Sequence, residues 1–239
     1  MTDRKLAQAA QACIVDLDGT LVDTLGDFEA ALGRMLTALG RAPIARAQIA
    51  LLVGKGSEHL IRAVLAQGSG GAAPDAALFE RAWQLYQDAY AQVNGQHSAV
   101  YPGVVPGLRA LRAQGLALAC LTNKPLVHAR RLLEAKGLAD YFGPVFGGDS
   151  FARKKPDPLP LLETCQALGT PPDRTLMIGD SSNDHAAARA AGCPVVLMRY
   201  GFNHGEPVQD VGADGCFDAM TEVAAWLAAA RHDAPVTRP

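Results

Sequence analysis

Two aspartates separated by one residue, Asp16 and Asp18, stand where a short apolar run gives way to a Gly-Thr turn. The run, residues 12–15, is typical of a buried strand, and strand ends in α/β sheets are where ligands bind. On an extended chain both carboxylates point to the same side and repel unless a cation or a shared proton intervenes. A divalent ion such as Mg²⁺ accepts carboxylates together with a substrate phosphate. One carboxylate could then attack phosphorus while the other transfers protons.

A lone Asp-Gly pair is more often an ordinary surface turn, so other motifs have to support this interpretation. The second candidate is Thr122-Asn123-Lys124, which follows an apolar run at residues 116–121. A hydroxyl, an amide and backbone N–H groups at a strand end can hold phosphoryl oxygens. The same residues could equally form a strand-to-helix turn with Thr122 or Asn123 as the N-cap.

A basic run with prolines, Arg153-Lys154-Lys155-Pro156-Asp157-Pro158, is the third candidate. Most such runs are solvated turns, but a compact ammonium also fits between two close anions. The fourth is the segment 179–184, Gly-Asp-Ser-Ser-Asn-Asp, after a predicted strand at 175–178. It would bring the carboxylate of Asp180 to the same sheet edge, whereas Asp184 could simply cap a helix beginning near His185.

In this order the four motifs resemble those of the haloacid dehalogenase superfamily of phosphotransferases. The resemblance implies that Asp16 is the nucleophile and Asp18 the general acid/base, and the presence of Asp18 disfavours true dehalogenation. It also selects Lys155 in the basic run as the catalytic lysine, which leaves Arg153 and Lys154 exposed.

The same resemblance implies the ligands. Thr122 is assigned to the substrate phosphate most firmly, with Asn123 beside it, Lys124 less clear, and Gly19 in the turn of the first motif. Mg²⁺ would be held by Asp16, the main-chain carbonyl of Asp18, and Asp180. Asp184 would not bind the metal directly but would hold a metal-bound water or orient Lys155.

The elements between the motifs predict an α/β fold, with a doubly wound, mainly parallel sheet and an inserted helical cap domain. Helical periodicity marks residues 28–39, 47–53, 57–65 and 74–90, and no strand is expected between Leu21 and Ala99. From residue 101 onward helices and strands alternate, which predicts parallel strands with right-handed crossovers. We therefore expect a catalytic core at residues 1–23 and 100–239, and a helical cap at residues 24–99.

Composition narrows the class of protein. The 239 residues are 49% hydrophobic and carry a formal net charge of −2, so a sizeable core is expected and no basic surface indicates nucleic acid. The five cysteines form no CxxC pair and suggest a reducing compartment. The opening residues 1–11 are polar and no apolar run could span a membrane, so a cytoplasmic protein without membrane contact is expected. The sequence leaves the oligomeric state open.

The substrate is indicated by two further resemblances. Residues 52–56 in the cap, Leu-Val-Gly-Lys-Gly, and residues 200–205 in the core, Tyr-Gly-Phe-Asn-His-Gly, are similar to the phosphoglycolate phosphatase branch of the superfamily. They imply 2-phosphoglycolate as substrate, with Lys55 near its carboxylate, although an exposed lysine between glycines is usually mere surface. The alternatives are a phosphatase or phosphomutase acting on another small phosphorylated metabolite, and, in a different class, an aspartate-phosphorylated signalling module.

Overall fold

The computed structural model describes residues 10–68 and 70–232, so the expectation for the opening residues falls almost wholly outside the described part. The strands of this part are β1 (Ala12–Val15), β2 (Val22–Asp23), β3 (Ala99–Val100), β4 (Ala117–Leu121), β5 (Val145–Phe146), β6 (Thr175–Gly179), β7 (Val195–Met198) and β8 (Gly215–Phe217). Its α-helices are α1 (Leu25–Ala38), α2 (Arg46–Leu52), α3 (Ser57–Gln67), α4 (Ala76–Val93), α5 (Val104–Ala113), α6 (Leu126–Ala135), α7 (Leu159–Leu168), α8 (Ser182–Ala191) and α9 (Met220–His232).

Six strands form one parallel sheet in the order β5-β4-β1-β6-β7-β8. From β1 the chain builds outward through β4 and β5 on one side, then crosses to β6, β7 and β8 on the other. The strand order therefore reverses next to β1, and such a reversal opens a crevice at the carboxyl ends of the strands. The ends of β4, β1 and β6, each followed by one of the predicted motifs, lie side by side at this crevice.

Alternating side chains of each central strand enter two different hydrophobic clusters. In β1, Cys13 and Val15 pack with helices α5, α6 and α9, whereas Ile14 packs with α7 and α8. Strands β6 and β7 divide their residues between the same two clusters. The period-2 geometry of a strand thus places helices on both faces of the sheet, and burial on both faces explains the apolar runs. The predicted doubly wound α/β class is confirmed.

Helices α1 to α4 surround a third hydrophobic cluster of their own, to which the core adds Phe202 from the loop after β7. The chain enters and leaves this helical segment through β2 and β3, which pair antiparallel with Val22 opposite Val100. The expectation that no strand lies between Leu21 and Ala99 was therefore wrong. A two-residue strand is too short to show any alternation, so only its pairing partner reveals it.

Helix α8 begins at Ser182, three residues before the predicted start at His185. The reason is local, because Oδ2 of Asp184 accepts hydrogen bonds from the backbone N–H of Ser181 (3.2 Å) and from its hydroxyl (2.8 Å). An acidic side chain in this position satisfies donors that the first helical turn leaves free. Asp184 thus lies inside the first turn of α8. In the described part of the chain no helix is long and apolar enough to cross a membrane.

Candidate active site

Asp16 is the first residue after β1, and its backbone N–H extends the sheet by donating to the carbonyl of Ile178 at 2.9 Å. Its side chain is buried, with Oδ1 lying 2.9 Å from Nζ of Lys155. No hydrogen-bond partner of proper geometry reaches this Oδ1 among the described residues. Burial raises the pKa of Asp16 to about 7, although Lys155 opposes the rise. A buried oxygen with lone pairs left over is suited to attack or to bind a cation.

Lys155 stands between two carboxylates. Its ammonium lies 2.6 Å from Oδ1 of Asp184 and also donates to the carbonyl oxygen of Leu121 at 2.9 Å. Burial alone would lower the pKa of Lys155, but the carboxylates of Asp16 and Asp184 outweigh that effect and the pKa lies above its usual value. The lysine is therefore a fixed positive charge beside Asp16. Its neighbour Lys154, expected to be exposed, is half-buried, whereas Arg153 is exposed as expected.

Asp180 follows β6 and is buried, and two segments converge on its carboxylate, the turn after Asp18 and the loop after β7. Oδ1 accepts a hydrogen bond from the hydroxyl of Thr20 at 3.0 Å, and Oδ2 accepts one from the backbone N–H of Phe202 at 2.6 Å. A Cβ at Gly19 would lie 2.1 Å from Oδ2, so only glycine leaves room for this carboxylate. Gly19, expected to contact substrate, is thus required first of all to accommodate Asp180.

A divalent cation fits the charges of this cluster. Carboxylate oxygens of Asp16, Asp180 and Asp184 all lie within 4.8 Å of one another, and all three residues are buried. Among the described residues one ammonium, that of Lys155, contacts the group. Burial, followed by the charges of Asp184 and Asp16, raises the pKa of Asp180 well above its ordinary value, as expected for crowded anions without enough positive charge. Three carboxylates and one ammonium leave two negative charges, which a hard divalent ion would offset.

The side chain of Asp18 does not belong to this acidic cluster. It forms an ion pair with Lys124, whose Nζ donates to Oδ1 at 2.8 Å and to Oδ2 at 3.0 Å. The predicted metal contact of Asp18 concerned its main-chain carbonyl and does not depend on the side chain. The loop that carries Asp18 is tight, because the backbone N–H of Val22 returns to the carbonyl of Leu17 at 3.1 Å. Asp18 lines the same cavity as Asp16.

Thr122 and Asn123 follow β4 as the sequence predicts, and both line the cavity with Asp16 and Asp18. The hydroxyl oxygen of Thr122 accepts the backbone N–H of Lys124 at 3.2 Å. The amide of Asn123 donates to the carbonyls of Gly54 at 2.9 Å and Lys155 at 2.8 Å. Both amide hydrogens of Asn123 are therefore used to link β4, the helical segment and the Lys155 loop. Contact between this side-chain amide and a phosphate would require one of the two bonds to break.

The roof of the cavity comes from the helical segment and contains Phe28, Val53, Gly54, Gly56, Ser57 and Leu60. Lys55, expected to reach the substrate, lies outside it. Its side chain is exposed and lines a neighbouring cleft with His59 and Lys154. The reason is the turn geometry: Gly54 and Gly56 both have positive φ, so the backbone of the loop faces the cavity while the side chain between them faces solvent.

Reasoning from sequence missed the contributions of Thr20 and of the backbone at Phe202 to the site. Thr20 lies inside the first motif, but nothing in the pattern distinguishes a hydroxyl that holds Asp180 from an ordinary turn residue. Phe202 contributes its backbone N–H, a group that side-chain type does not reveal. The role of Lys124 was left unclear, although its position two residues after Thr122 places it at the same sheet edge.

Comparison with known proteins agrees with this geometry. A family model described as haloacid dehalogenase-like hydrolase matches residues 10–192. The chain belongs to this family of hydrolases.

Relatives that match most of the chain carry a more specific name. Phosphoglycolate phosphatase of Thiobacillus denitrificans is 43% identical over 214 residues, covering 90% of this chain and 94% of the relative. That of Rhodospirillum rubrum is 43% identical over 220 residues, covering 91% and 90%. The crystal structure described as a predicted phosphoglycolate phosphatase from Haemophilus somnus is similar, with a TM-score of 0.87 and 30% identity, over 91% of this chain and 97% of that chain.

Proposed function

We propose that this protein is a Mg²⁺-dependent phosphomonoesterase that hydrolyses 2-phosphoglycolate to glycolate and phosphate. The observation that carries the proposal is the buried pair of Asp16 and Lys155 in a site whose cavity is roofed by the helical segment. Support for the substrate comes from relatives named phosphoglycolate phosphatase that are 43% identical over nine-tenths of the chain.

In the first step a carboxylate oxygen of Asp16 attacks phosphorus in line with the leaving alkoxide, which takes a proton from Asp18. The products are glycolate and an aspartyl-phosphate on Asp16. In the second step Asp18 removes a proton from water, whose oxygen attacks phosphorus and releases inorganic phosphate with Asp16 restored. Lys155 offsets the negative charge that Asp16 and the phosphoryl group bring together, so it stabilises both steps.

The metal would be held by Asp16, Asp180 and the main-chain carbonyl of Asp18, with Asp184 in reach of the same cluster. When bound, Mg²⁺ supplies positive charge to the phosphoryl oxygens and neutralises the carboxylates around them. The buried Oδ1 of Asp16, which lacks a hydrogen-bond partner in the described residues, supports this assignment. Asp184 also orients Lys155 through their 2.6 Å contact.

We further propose that residues 24–99 act as a cap domain over a core made of residues 1–23 and 100–239. The separate hydrophobic cluster of helices α1 to α4 supports this division, and so do the two short strands β2 and β3 at the crossing points. A cap that closes over the cavity excludes water until the leaving group is protonated.

A cytoplasmic location is consistent with the thiols. All five cysteines are free, and Sγ of Cys165 lies 3.9 Å from Sγ of Cys193, well beyond a disulfide bond. We propose a cytoplasmic location because proteins of reducing compartments keep their cysteines as thiols.

The experiment is a panel of small phosphomonoesters offered to the purified protein with and without Mg²⁺, with release of inorganic phosphate as the measurement. We expect the highest kcat/KM for 2-phosphoglycolate, and no turnover after chelation of metal. The Asp16→Asn variant serves as control for contaminating phosphatases. A higher kcat/KM for another ester would overturn the substrate, and interconversion of a sugar phosphate without net phosphate release would identify a mutase.

A further inference from the structure

Lys124 is an unusually placed lysine. Its side chain is only 2% exposed, and its ammonium lies 4.7 Å from the ring centre of Phe28 in α1 and 4.9 Å from that of Tyr90 in α4. The residue itself belongs to the core, two positions after Thr122. Its charge is therefore held at the boundary between the core and the helical segment, where aromatic faces stabilise a cation that water does not reach.

The ammonium is not saturated by its known partner. It has three N–H donors, and the two carboxylate oxygens of Asp18 accept two of them, at 2.8 Å and 3.0 Å. Within residues 10–68 and 70–232 no further acceptor for Lys124 is found at hydrogen-bond distance. Lys124 thus retains one donor, and it lines the same cavity as Asp16 and Asp18.

The substrate has a second anionic group, its carboxylate, and the rest of the cavity lining contains few groups that could bind it. Among the described residues that line it, Lys124 is the one cationic side chain. The roof is otherwise apolar at Phe28, Val53 and Leu60, and its polar groups are neutral: the hydroxyl of Ser57 and the backbone at Gly54 and Gly56. A carboxylate buried against such a wall without a cation would be strongly unfavourable.

We propose that Lys124 binds the carboxylate of the substrate and thereby selects phosphate esters that carry a second anionic group. This inference rests on the proposed function and adds the residue that binds the carboxylate of 2-phosphoglycolate. It assigns to Lys124 the contact that the sequence suggested for Lys55, whose side chain lies outside the cavity. A carboxylate at Lys124 shares the ammonium with Asp18, so recognition occurs beside the group that protonates the leaving oxygen.

The test compares two substrates that differ only at the end in question, 2-phosphoglycolate and ethyl phosphate, which has a methyl group in place of the carboxylate. In Lys124→Met we expect kcat/KM to fall by at least about tenfold more for 2-phosphoglycolate than for ethyl phosphate. The variant Lys124→Arg keeps the charge and should retain most of the preference. Lys136→Met is the matched control, since Lys136 joins the core to the carbonyls of Gly95 and Ser98 outside the cavity, and it should leave the ratio unchanged.

Equal losses on both substrates in Lys124→Met would overturn the inference, because Lys124 would then only position Asp18. A changed ratio in Lys55→Ala with no change in Lys124→Met would overturn it as well, in favour of Lys55. Failure of the proposed function has a different signature, namely wild-type protein that turns over ethyl phosphate or other esters but not 2-phosphoglycolate.

Removing Lys124 alone leaves the largely enclosed carboxylate of Asp18 without its partner, which destabilises the fold. The double variant Asp18→Asn/Lys124→Met avoids this because it removes both charges together, and its reference is Asp18→Asn, in which the amide oxygen still accepts a hydrogen bond from Lys124. Calorimetric titration with 2-phosphoglycolate in the presence of Mg²⁺ should give a Kd at least about tenfold weaker for the double variant, with a much smaller change for ethyl phosphate. Equal Kd values in the two variants would overturn the inference independently of catalysis.

Discussion

Nζ of Lys155 lies 2.6 Å from Oδ1 of Asp184, a shorter separation than the 2.9 Å between the same ammonium and Oδ1 of Asp16. The closer partner of Lys155 is thus Asp184, which has no proposed part in bond formation, and not Asp16, the proposed nucleophile. Asp184, in the first turn of α8, is itself fixed by three donors from the two residues before that helix: the backbone N–H groups of Asp180 and Ser181 and the Ser181 hydroxyl. Helix α8 therefore positions the positive charge beside Asp16.

Replacing Lys155 with Met should destabilise the metal-free protein and reduce kcat by several orders of magnitude. Removing one partner of a buried ion pair typically costs about 3–5 kcal/mol, and here two carboxylates, those of Asp16 and Asp184, would lose their ammonium. Thermal denaturation in chelator measures the first effect. Lys155→Arg should not restore activity, because a planar guanidinium does not fit where a compact ammonium bridges two carboxylates.

The neighbouring Lys154 provides the control for Lys155. It is half-buried and makes no ion pair among the described residues, so Lys154→Met should leave the melting temperature nearly unchanged. A comparable loss of stability in both variants would contradict the specific role of Lys155 in the acidic cluster.

Asp16→Asn should abolish turnover, since a neutral amide is a poor nucleophile and a poor metal ligand. The assignment requires that less than about 1% of kcat remains, a loss of more than roughly 2.7 kcal/mol in the barrier. Steady-state phosphate release measures it. Retention of a larger fraction, in protein shown to be free of contaminating phosphatase, would rule out Asp16 as the nucleophile.

Asp18→Asn should affect substrates unequally. Because the variant cannot protonate the leaving oxygen, alkyl phosphates should lose far more activity than aryl phosphates, whose leaving groups depart without a proton. Rates for 2-phosphoglycolate and p-nitrophenyl phosphate measure the difference. The same proportional loss on both esters would contradict the general-acid role of Asp18.

Mg²⁺ should raise the melting temperature of the protein, because the folded chain alone assembles the acidic cluster. At a concentration 100 times Kd a ligand specific to the folded state adds about 2.7 kcal/mol to the free energy of unfolding. In Asp180→Asn this increase should become much smaller, whereas exposed Asp173→Asn should keep it. An undiminished shift in Asp180→Asn would show that the ion binds elsewhere.

Much of this architecture could be predicted because its signals are local. Apolar runs identified the central strands, and polar residues directly after them identified the sheet edge at Asp16, Thr122 and Asp180. Parallel strands bring their carboxyl ends to one edge, so the sequence positions alone were enough to expect these residues to meet. The order of the four motifs along the chain then indicated the haloacid dehalogenase superfamily.

What could not be predicted depends on contacts between distant parts of the chain. Lys124 pairs with Asp18 and packs on Tyr90, a residue of α4 that no motif includes. Lys55 had the favourable charge and position in sequence, but the positive φ of the two flanking glycines turns its side chain outward. The direction of one side chain in a loop follows from backbone conformation, which residue type indicates only weakly.

His128, in α6 of the core, contacts the helical segment and should make the stability of the folded protein depend on pH. Its Nε2 lies 3.1 Å from Oε1 of Gln87, and its ring meets that of Tyr90 edge-on, with centroids 5.1 Å apart. Burial, together with the positive charges of Lys124 and Arg131, lowers the pKa of His128 to about 4. The neutral ring is therefore the form that the folded protein stabilises.

In the unfolded chain this histidine titrates near its ordinary pKa of about 6.5, so below that value the unfolded state binds a proton that the folded state does not. The contribution of neutral His128 to stability is therefore complete above pH 6.5 and is lost as the pH falls toward about 4. In His128→Gln, which stays neutral, we expect a smaller fall in melting temperature between pH 7.5 and pH 5 than in the wild type. Both proteins are measured in chelator, so that metal binding does not contribute. Parallel curves for the two proteins would show that His128 does not set this part of the acid sensitivity.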